Sequence, residues 1–303
     1  MTITAKVICD SIAEWGNSIA EWGIRLTTMQ LRYPKFIHGE FMTHRKFSRN
    51  ASSSRAIPVK RLIQDVISDP AIPIYWGKNM PGMQAIEEFT DNERDAMIEW
   101  WLELRDMAVK QASMMSRNGL HKQLVNRMIE PWCHINVVVT STEWANFDAL
   151  RCHPAAQPEM RALAEAMRDA RKASNPRFLK PGEWHLPYVT DDELNALGGY
   201  TAGQPDHKDW LTFIKASVAR CARVSYLTQE GRTPTFGEDL ALYDRLVGSE
   251  PLHASPAEHQ ATPDTRMSDG FRTDLWRHQE QHANFVGWRQ YRKMLPNEYV
   301  GDR

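Results

Sequence analysis

Apolar residues recur along this chain in two periods, and the changes of period mark out its elements. Residues 2–8 alternate apolar and polar positions as a strand does, and residues 25–32 (RLTTMQLR) repeat the pattern with Thr27, Met29 and Leu31 on one face. Residues 135–140 (INVVVT) are β-branched at every position but Asn136 and largely apolar, the composition of a strand central to a sheet. Helical spacing begins after Pro34, where Phe36, Ile37, Phe41 and Met42 follow a proline tolerated in a first turn. A short helix is predicted over 58–66. Thr90 with Glu93 makes a capping box, after which Met97, Trp100, Trp101, Leu104, Met107 and Ala108 predict one buried face running towards Met115.

Gly119 ends that helix and residues 122–131 (KQLVNRMIEP) begin another. Pro154 and Pro158 divide 144–171 into a helix ending near Arg151 and a second starting near Pro158. A helix resumes from Asp209 through Trp210, Phe213, Ile214, Val218 and Cys221, and 239–248 (DLALYDRLVG) forms one more, stopped by glycine. The last recognisable element lies within 284–294. Two stretches are dense in Pro and Gly: 69–82 reads as irregular backbone and 172–208 as a flexible connection. Residues 11–16 (SIAEWG) recur at 18–23, a tandem copy too short for a solenoid and read as a duplication in a surface connection.

The chain has 303 residues, 42% hydrophobic and 25% charged, enough for a sizeable core, and residues 1–303 are read as a single domain. A net charge of −1 argues against non-specific nucleic-acid binding and leaves attraction for anions to local patches. Cys9, Cys133, Cys152 and Cys221 are scattered with no CxxC pair, which together with the lack of a recognisable leader or membrane-length apolar run predicts reduced thiols in the cytoplasm.

The sharpest local patch lies between Phe41 and Gln64, where no acidic residue occurs. Arg45, Lys46, Arg49, Arg55, Lys60 and Arg61 supply charge there, and Ser48, Ser52, Ser53 and Ser54 supply donors, a set suited to phosphate. A solvated surface loop is the plainer reading of the same composition. The Trp and Met stripe of the long helix suits a planar cofactor, but at helical spacing it reads as core. His278 and His282, four apart in HQEQH, would share a helix face as metal ligands in a hydrolase, yet no third ligand accompanies them and no metal is expected.

Three blocks together resemble the flavin-dependent thymidylate synthases. Thr43-His44-Arg45, seven residues and Ser53 resemble that family's Arg-His-Arg, seven residues, Ser, with Asn50 and Arg55 in the same frame. NRMIEP (126–131) with NFDALRCHPAAQPEMR (146–161) resembles its helix pair of an Asn, an Arg five residues later and Ala-Gln-x-Glu. ARVSY (222–226) and HASPAEH (253–259) resemble its ARVSY and His-x-Ser/Thr-Pro-x-Glu-His elements. In the family the last pair comes first, so this chain resembles a permuted member with roughly half its length outside the blocks, an order acceptable where termini lie close together.

The resemblance implies an α/β fold of α+β type, a mixed or antiparallel sheet flanked by long helices, like that of thymidylate synthase complementing proteins. It also implies transfer of one carbon from methylenetetrahydrofolate to C5 of a pyrimidine deoxynucleotide, dUMP to dTMP, with FAD reduced by NADPH. Ser53 and Arg55 would bind the nucleotide phosphate, Arg127 would approach from a neighbouring subunit of a homotetramer, and Glu40 stands for a glutamine near that phosphate. Arg151 would contact the pyrimidine ring and carry the catalysis. His44, Arg45, Asn146, Ser225, Ser255 and Glu258 would surround FAD. His253 and His259 match family histidines without an assigned role, and Cys152 beside Arg151 keeps a covalent route open. Thr43 replaces an arginine and Ala51 a glutamate, so the same chemistry on dCMP, or installation of a hydroxymethyl group, stands as an alternative. A non-catalytic nucleotide- or RNA-binding protein is the rival from another class.

Overall fold

The computed structural model describes residues 3–13, 23–196, 207–224, 232–250, 252–267 and 275–298. Most of the duplicated SIAEWG segment therefore lies outside the described residues, as does Ser225.

Five strands form the main sheet: β1 (Thr4–Ala13), β2 (Arg25–Pro34), β3 (Ser48–Ala51), β4 (His134–Ser141) and β5 (Arg177–Leu179). Their order is β3-β4-β2-β1-β5, antiparallel except for the parallel β1–β5 pair, so the expected mixed, largely antiparallel sheet is present. The β-branched run falls on β4, with partners on both sides. In its pairing with β2, β1 carries a bulge at Val7/Cys9. Part of the basic stretch read as a loop is β3, whose Arg49 and Asn50 sit opposite Val139 and Val138. Those two residues therefore point to opposite faces of the sheet.

On one face Met29, Leu31, Tyr33, Val137 and Val139 are buried with Ile37, Phe41, Phe147, Met160 and Leu163. The helices supplying that cover are α1 (His38–Phe41), entered through a 3₁₀ turn at Lys35–Ile37, then α5 (Ala145–Arg151) and α6 (Pro158–Ala173), and between them in sequence come α2 (Val59–Ser68), α3 (Asp91–Arg117) and α4 (Lys122–Val125). Both proline-set boundaries hold: α5 ends at Arg151 and Pro158 opens α6. Of the four apolar residues near Pro34, Ile37 and Phe41 are buried while Phe36 and Met42 are exposed.

The opposite face carries Thr28, Val138 and Thr140 and lies beneath a second group of elements: α7 (Asp191–Ala196), α8 (His207–Arg223) and α9 (Phe236–Val247). Small strands β6 (Ala261–Pro263) and β9 (Trp288–Gln290) pair, as do β7 (Arg266–Met267) and β8 (Leu275–Trp276). Leu186, Phe213, Ile214, Val218, Tyr243 and Tyr291 make the core of this group. The stretch 172–208 holds β5, α7 and the buried His185, Leu186 and Tyr188, while its residues 197–206 lie outside the described residues.

Helix α3 has its capping box at Thr90–Glu93, but its burial keeps only Trp101 and Ala108 of the expected face in a packed cluster. Trp100, Leu104 and Met107 are 61%, 50% and 58% exposed. The packed side is Trp101, Ala108, Val109 and Ala112, set against Leu62, Val66, Val125, Ile129 and Trp132. Two apolar stripes share this helix, and small residues at 108 and 112 let the second approach its neighbours. The indoles of Trp101 and Trp132 then donate to Ala71 O and Trp101 O, each at 3.0 Å, fixing that rotation.

Between the sheet and the second group runs a buried polar chain. Ser11 Oγ meets His185 Nδ1 at 2.9 Å, His185 Nε2 meets Thr28 Oγ1 at 2.7 Å, the two threonine hydroxyls are 2.7 Å apart, and Thr140 Oγ1 meets His259 Nδ1 at 2.8 Å. Burial holds both imidazoles neutral, lowering their pKa values from 6.5 to about 3. The unfolded chain consequently takes up protons that the folded one refuses. This contribution to stability is complete above about pH 6.5 and is lost as pH falls towards about 3, at roughly 1.4 kcal/mol per pH unit for each histidine. Urea midpoints should fall on acidification across this window, and less steeply in His185→Asn; a midpoint unchanged between about pH 7 and about pH 5 would refute this account.

Candidate active site

Arg151 closes α5, one turn after Phe147, whose ring is buried in the core. That ring meets the His44 imidazole edge-on at 4.8 Å and holds it against the arginine. Arg151 Nε donates to His44 Nε2 at 2.9 Å, and its Nη1 is paired with the Glu40 carboxylate. Because Nε of arginine only donates, His44 must accept through Nε2 and carry its proton on Nδ1. Burial first, and then the Arg151 charge, lower the His44 pKa to about 4, so the ring is neutral at physiological pH. Glu40 thus stands on the arginine assigned to the pyrimidine ring.

Glu40 and Arg151 form part of the wall of a cavity of about 1010 Å³, which also takes in Tyr75, Met83, Gln157 and Arg161. Its other wall is the segment after α2, read from sequence only as irregular backbone. An isolated bridge between Gly77 and Glu88 folds this segment back on itself, and Tyr75 Oη donates to Ala85 O at 3.0 Å. A side chain at Gly77 would meet the Ala85 Cβ at 2.2 Å, so glycine is what permits the close approach. Gln84 Nε2 donates to Ala155 O at 2.8 Å and the buried Glu159 accepts from Ile74 N, joining the wall to the α5–α6 turn. Density in proline and glycine was the sequence signal here, and it carried no information on what the loop would face.

The other predicted residues sit apart from the cavity. Ser53 and Arg55 follow β3 and are exposed; Asn126 Nδ2 donates to Ser54 O and Ile57 O at 2.6 and 2.9 Å, holding their turn. Arg127, next to Asn126, is exposed. None of Arg45, Arg55 and Arg127 has an ion-pair partner among the described residues, and an anionic phosphate or pyrophosphate fits such a donor set. Asn146 is exposed on α5. Arg49, read from sequence as one of the cations of the basic patch, donates to Phe41 O and Met42 O at 3.3 and 2.8 Å and fixes the turn before His44.

The third block folds onto the first. Asn50 Nδ2 donates to Cys221 O at 2.7 Å at the end of α8, and Ser255 Oγ donates to Asn50 Oδ1 at 3.2 Å. Glu258 is held by Arg292. His259 hangs from Thr140 through Nδ1, and its buried Nε2 has no partner among the described residues. Such an orphan polar atom beside the block assigned to FAD is consistent with a further polar group binding there.

Two rival chemistries lose support. Burial raises the Cys152 pKa, which keeps a thiol rather than the thiolate a covalent route needs. His278 and His282 do not face a metal from one helix: the backbone between them is a 3₁₀ turn, and each binds a different oxygen of buried Asp264 at 2.9 Å. Among the described residues no cluster of metal-ligating side chains occurs, and no helix is long and apolar enough to cross a membrane.

Comparison with known proteins bears on this site. The family model described as thymidylate synthase complementing protein matches residues 23–177, just over half of the chain. No curated protein matches. Among solved structures, the UMP/dUMP methylase PolB from Streptomyces cacaoi bound with 5-Br dUMP is 15% identical with a TM-score of 0.43, covering 56% of this chain and 90% of that one. The same protein bound with 5-Br UMP gives 15% identity and a TM-score of 0.46, covering 56% and 88%. The family match spans the first two signature blocks, including Glu40, His44 and Arg151, and stops before the third. On that match, this chain belongs to the thymidylate synthase complementing protein family.

Proposed function

We propose that this protein is a flavin-dependent synthase that transfers one carbon from methylenetetrahydrofolate to C5 of a pyrimidine deoxynucleotide, converting dUMP to dTMP in the cytoplasm. The observation that carries the reading is that Arg151, which the resemblance sets at the family's ring-contacting position, stands in the wall of a cavity of about 1010 Å³ with its guanidinium already oriented by His44 and Glu40. A fixed cation beside a ring carbonyl stabilises the enolate-like charge that builds as C5 attacks an electrophile, without reorganising at the moment of reaction. Ser53 and Arg55 would bind the phosphate. His44, Arg45, Asn146, Ser255 and Glu258 would hold FAD, with Ser225 as a further contact; their hydroxyls, amide and cation suit its polar and phosphate groups. When bound and reduced by NADPH, FAD supplies the redox chemistry that side chains lack. The fold of Ser255 against Asn50 supports a permuted member of the family, since it reunites blocks that sequence order separates.

A homotetramer with shared sites is part of the proposal. Exposed Trp100, Leu104, Met107 and Met114 make an apolar stripe on α3 that a second copy would cover, and exposed Arg127 would reach a neighbouring site. Sedimentation should give an assembly larger than the monomer, and Trp100→Glu with Met107→Glu should shift it to smaller species. An active monomer refutes the shared site.

Purified protein should be yellow, bind added FAD and oxidise NADPH; a colourless protein that takes up no FAD removes the synthase reading and leaves nucleotide binding alone. Arg151→Ala should lose roughly 2.7–4 kcal/mol of transition-state stabilisation, a 10²–10³-fold fall in turnover, with nucleotide affinity changed less. Ser53→Ala and Arg55→Ala should instead chiefly raise KM, because phosphate contacts act in ground and transition states alike. Full turnover in a folded, flavin-loaded Arg151→Ala protein would overturn the catalytic assignment.

A further inference from the structure

Glu40 is out of place as a phosphate ligand. A carboxylate repels phosphate, and the 41–64 stretch that supplies Ser53 and Arg55 contains no acid at all. Neither Ser53 nor Arg55 lines the large cavity, whereas Glu40 does, and its observed partner there is Arg151.

The pairing leaves a defined set of unused hydrogen-bonding atoms. On Arg151, Nε is taken by His44 and Nη1 by Glu40, while Nη2 has no partner among the described residues. On Glu40, Oε1 is taken by Arg151 and Oε2 has no partner among the described residues. With side chains 28% and 21% exposed, Glu40 and Arg151 are sheltered enough for these atoms to matter and open enough to be reached from the cavity. The wall thus offers an acceptor beside a donor. An ionised carboxylate accepts only, and a guanidinium donates only.

Resting on the nucleotide reading above, we infer that Glu40 is a specificity-determining residue for the pyrimidine base: its Oε2 accepts from the N3–H of a uracil ring while Arg151 Nη2 donates to the adjoining carbonyl. Cytosine in the same pose sets its N3 lone pair against the carboxylate. The contact also favours the reaction, because an acceptor at N3–H keeps electron density in the ring while Arg151 stabilises charge on the carbonyl oxygen. Glu40 takes no proton in this role.

The test uses the flavin-loaded enzyme with dUMP, dCMP and N3-methyl-dUMP, read as Kd and as kcat/KM. The wild type should prefer dUMP to each of the other two by at least about tenfold, since a site built around a substrate N–H rejects rings that lack it. In Glu40→Gln the amide can donate as well as accept, so the preference over dCMP should shrink to within about threefold, in a protein that remains folded with its flavin content unchanged. A residue that only holds Arg151 in place would weaken both nucleotides together and leave their ratio alone. Deoxyuridine separates ring from phosphate: the effect of Glu40→Gln should persist without the phosphate. An unchanged dUMP/dCMP ratio, a wild-type preference for dCMP, equal binding of N3-methyl-dUMP, or loss of the effect with deoxyuridine each overturns the inference while leaving pyrimidine nucleotide binding intact. Failure of the wild-type holoenzyme to bind any of the nucleotides overturns the functional reading itself, and this inference with it.

Discussion

Strand β4 is paired on both sides and covered on both faces, and that burial imposes conditions on everything around it. Val137 and Val139 need apolar cover from α1, α5 and α6, while Val138 and Thr140 face the second group of elements. A hydroxyl sealed at Thr140 costs about 1–3 kcal/mol unless it is bonded. The bonds it finds, to Thr28 on one side and His259 on the other, tie the sheet to the turn that carries Ser255 and Glu258. The same polar chain continues through His185 to Ser11 on β1, so five separate stretches of sequence are registered on one another by a few hydrogen bonds.

The candidate site inherits its rigidity from the other face. Phe147 is buried with Phe41 and Phe47, and it fixes both the helix that ends at Arg151 and the imidazole that orients it. A half-buried guanidinium requires compensation, supplied here by one carboxylate and one neutral histidine. Low His44 basicity belongs to the arrangement: a protonated ring would set a second cation against Arg151 and could no longer accept its hydrogen bond. The apolar surface left on α3 is a different kind of feature, because nothing in the chain's own core requires it.

Sequence pattern read most of the local structure correctly, and the reason is that local chemistry controls it. The boundaries at Arg151 and Pro158 follow from proline's missing N–H and fixed φ; the capping box at Thr90 follows from unpaired first-turn donors; β4 follows from a β-branched run over Val137–Thr140. The signature blocks were equally legible, since they depend on residue type and spacing.

Contacts between distant segments were not legible. Helix α3 carries two apolar stripes, and only the neighbours that arrive from α2 and the 126–132 turn select Trp101, Ala108 and Ala112 over Trp100, Leu104 and Met107. HQEQH offers a metal-like pair by spacing, yet Asp264, more than ten residues upstream, claims both imidazoles. Glu40, which the resemblance sets near a phosphate, pairs with Arg151 at the end of α5, a contact that no sequence spacing showed. By itself the sequence determined the elements, their ends and the residue types available for chemistry, because those depend on neighbours along the backbone. Which charge meets which was decided only by the tertiary structure, because Coulomb and hydrogen-bond energies depend on distances that chain connectivity does not set.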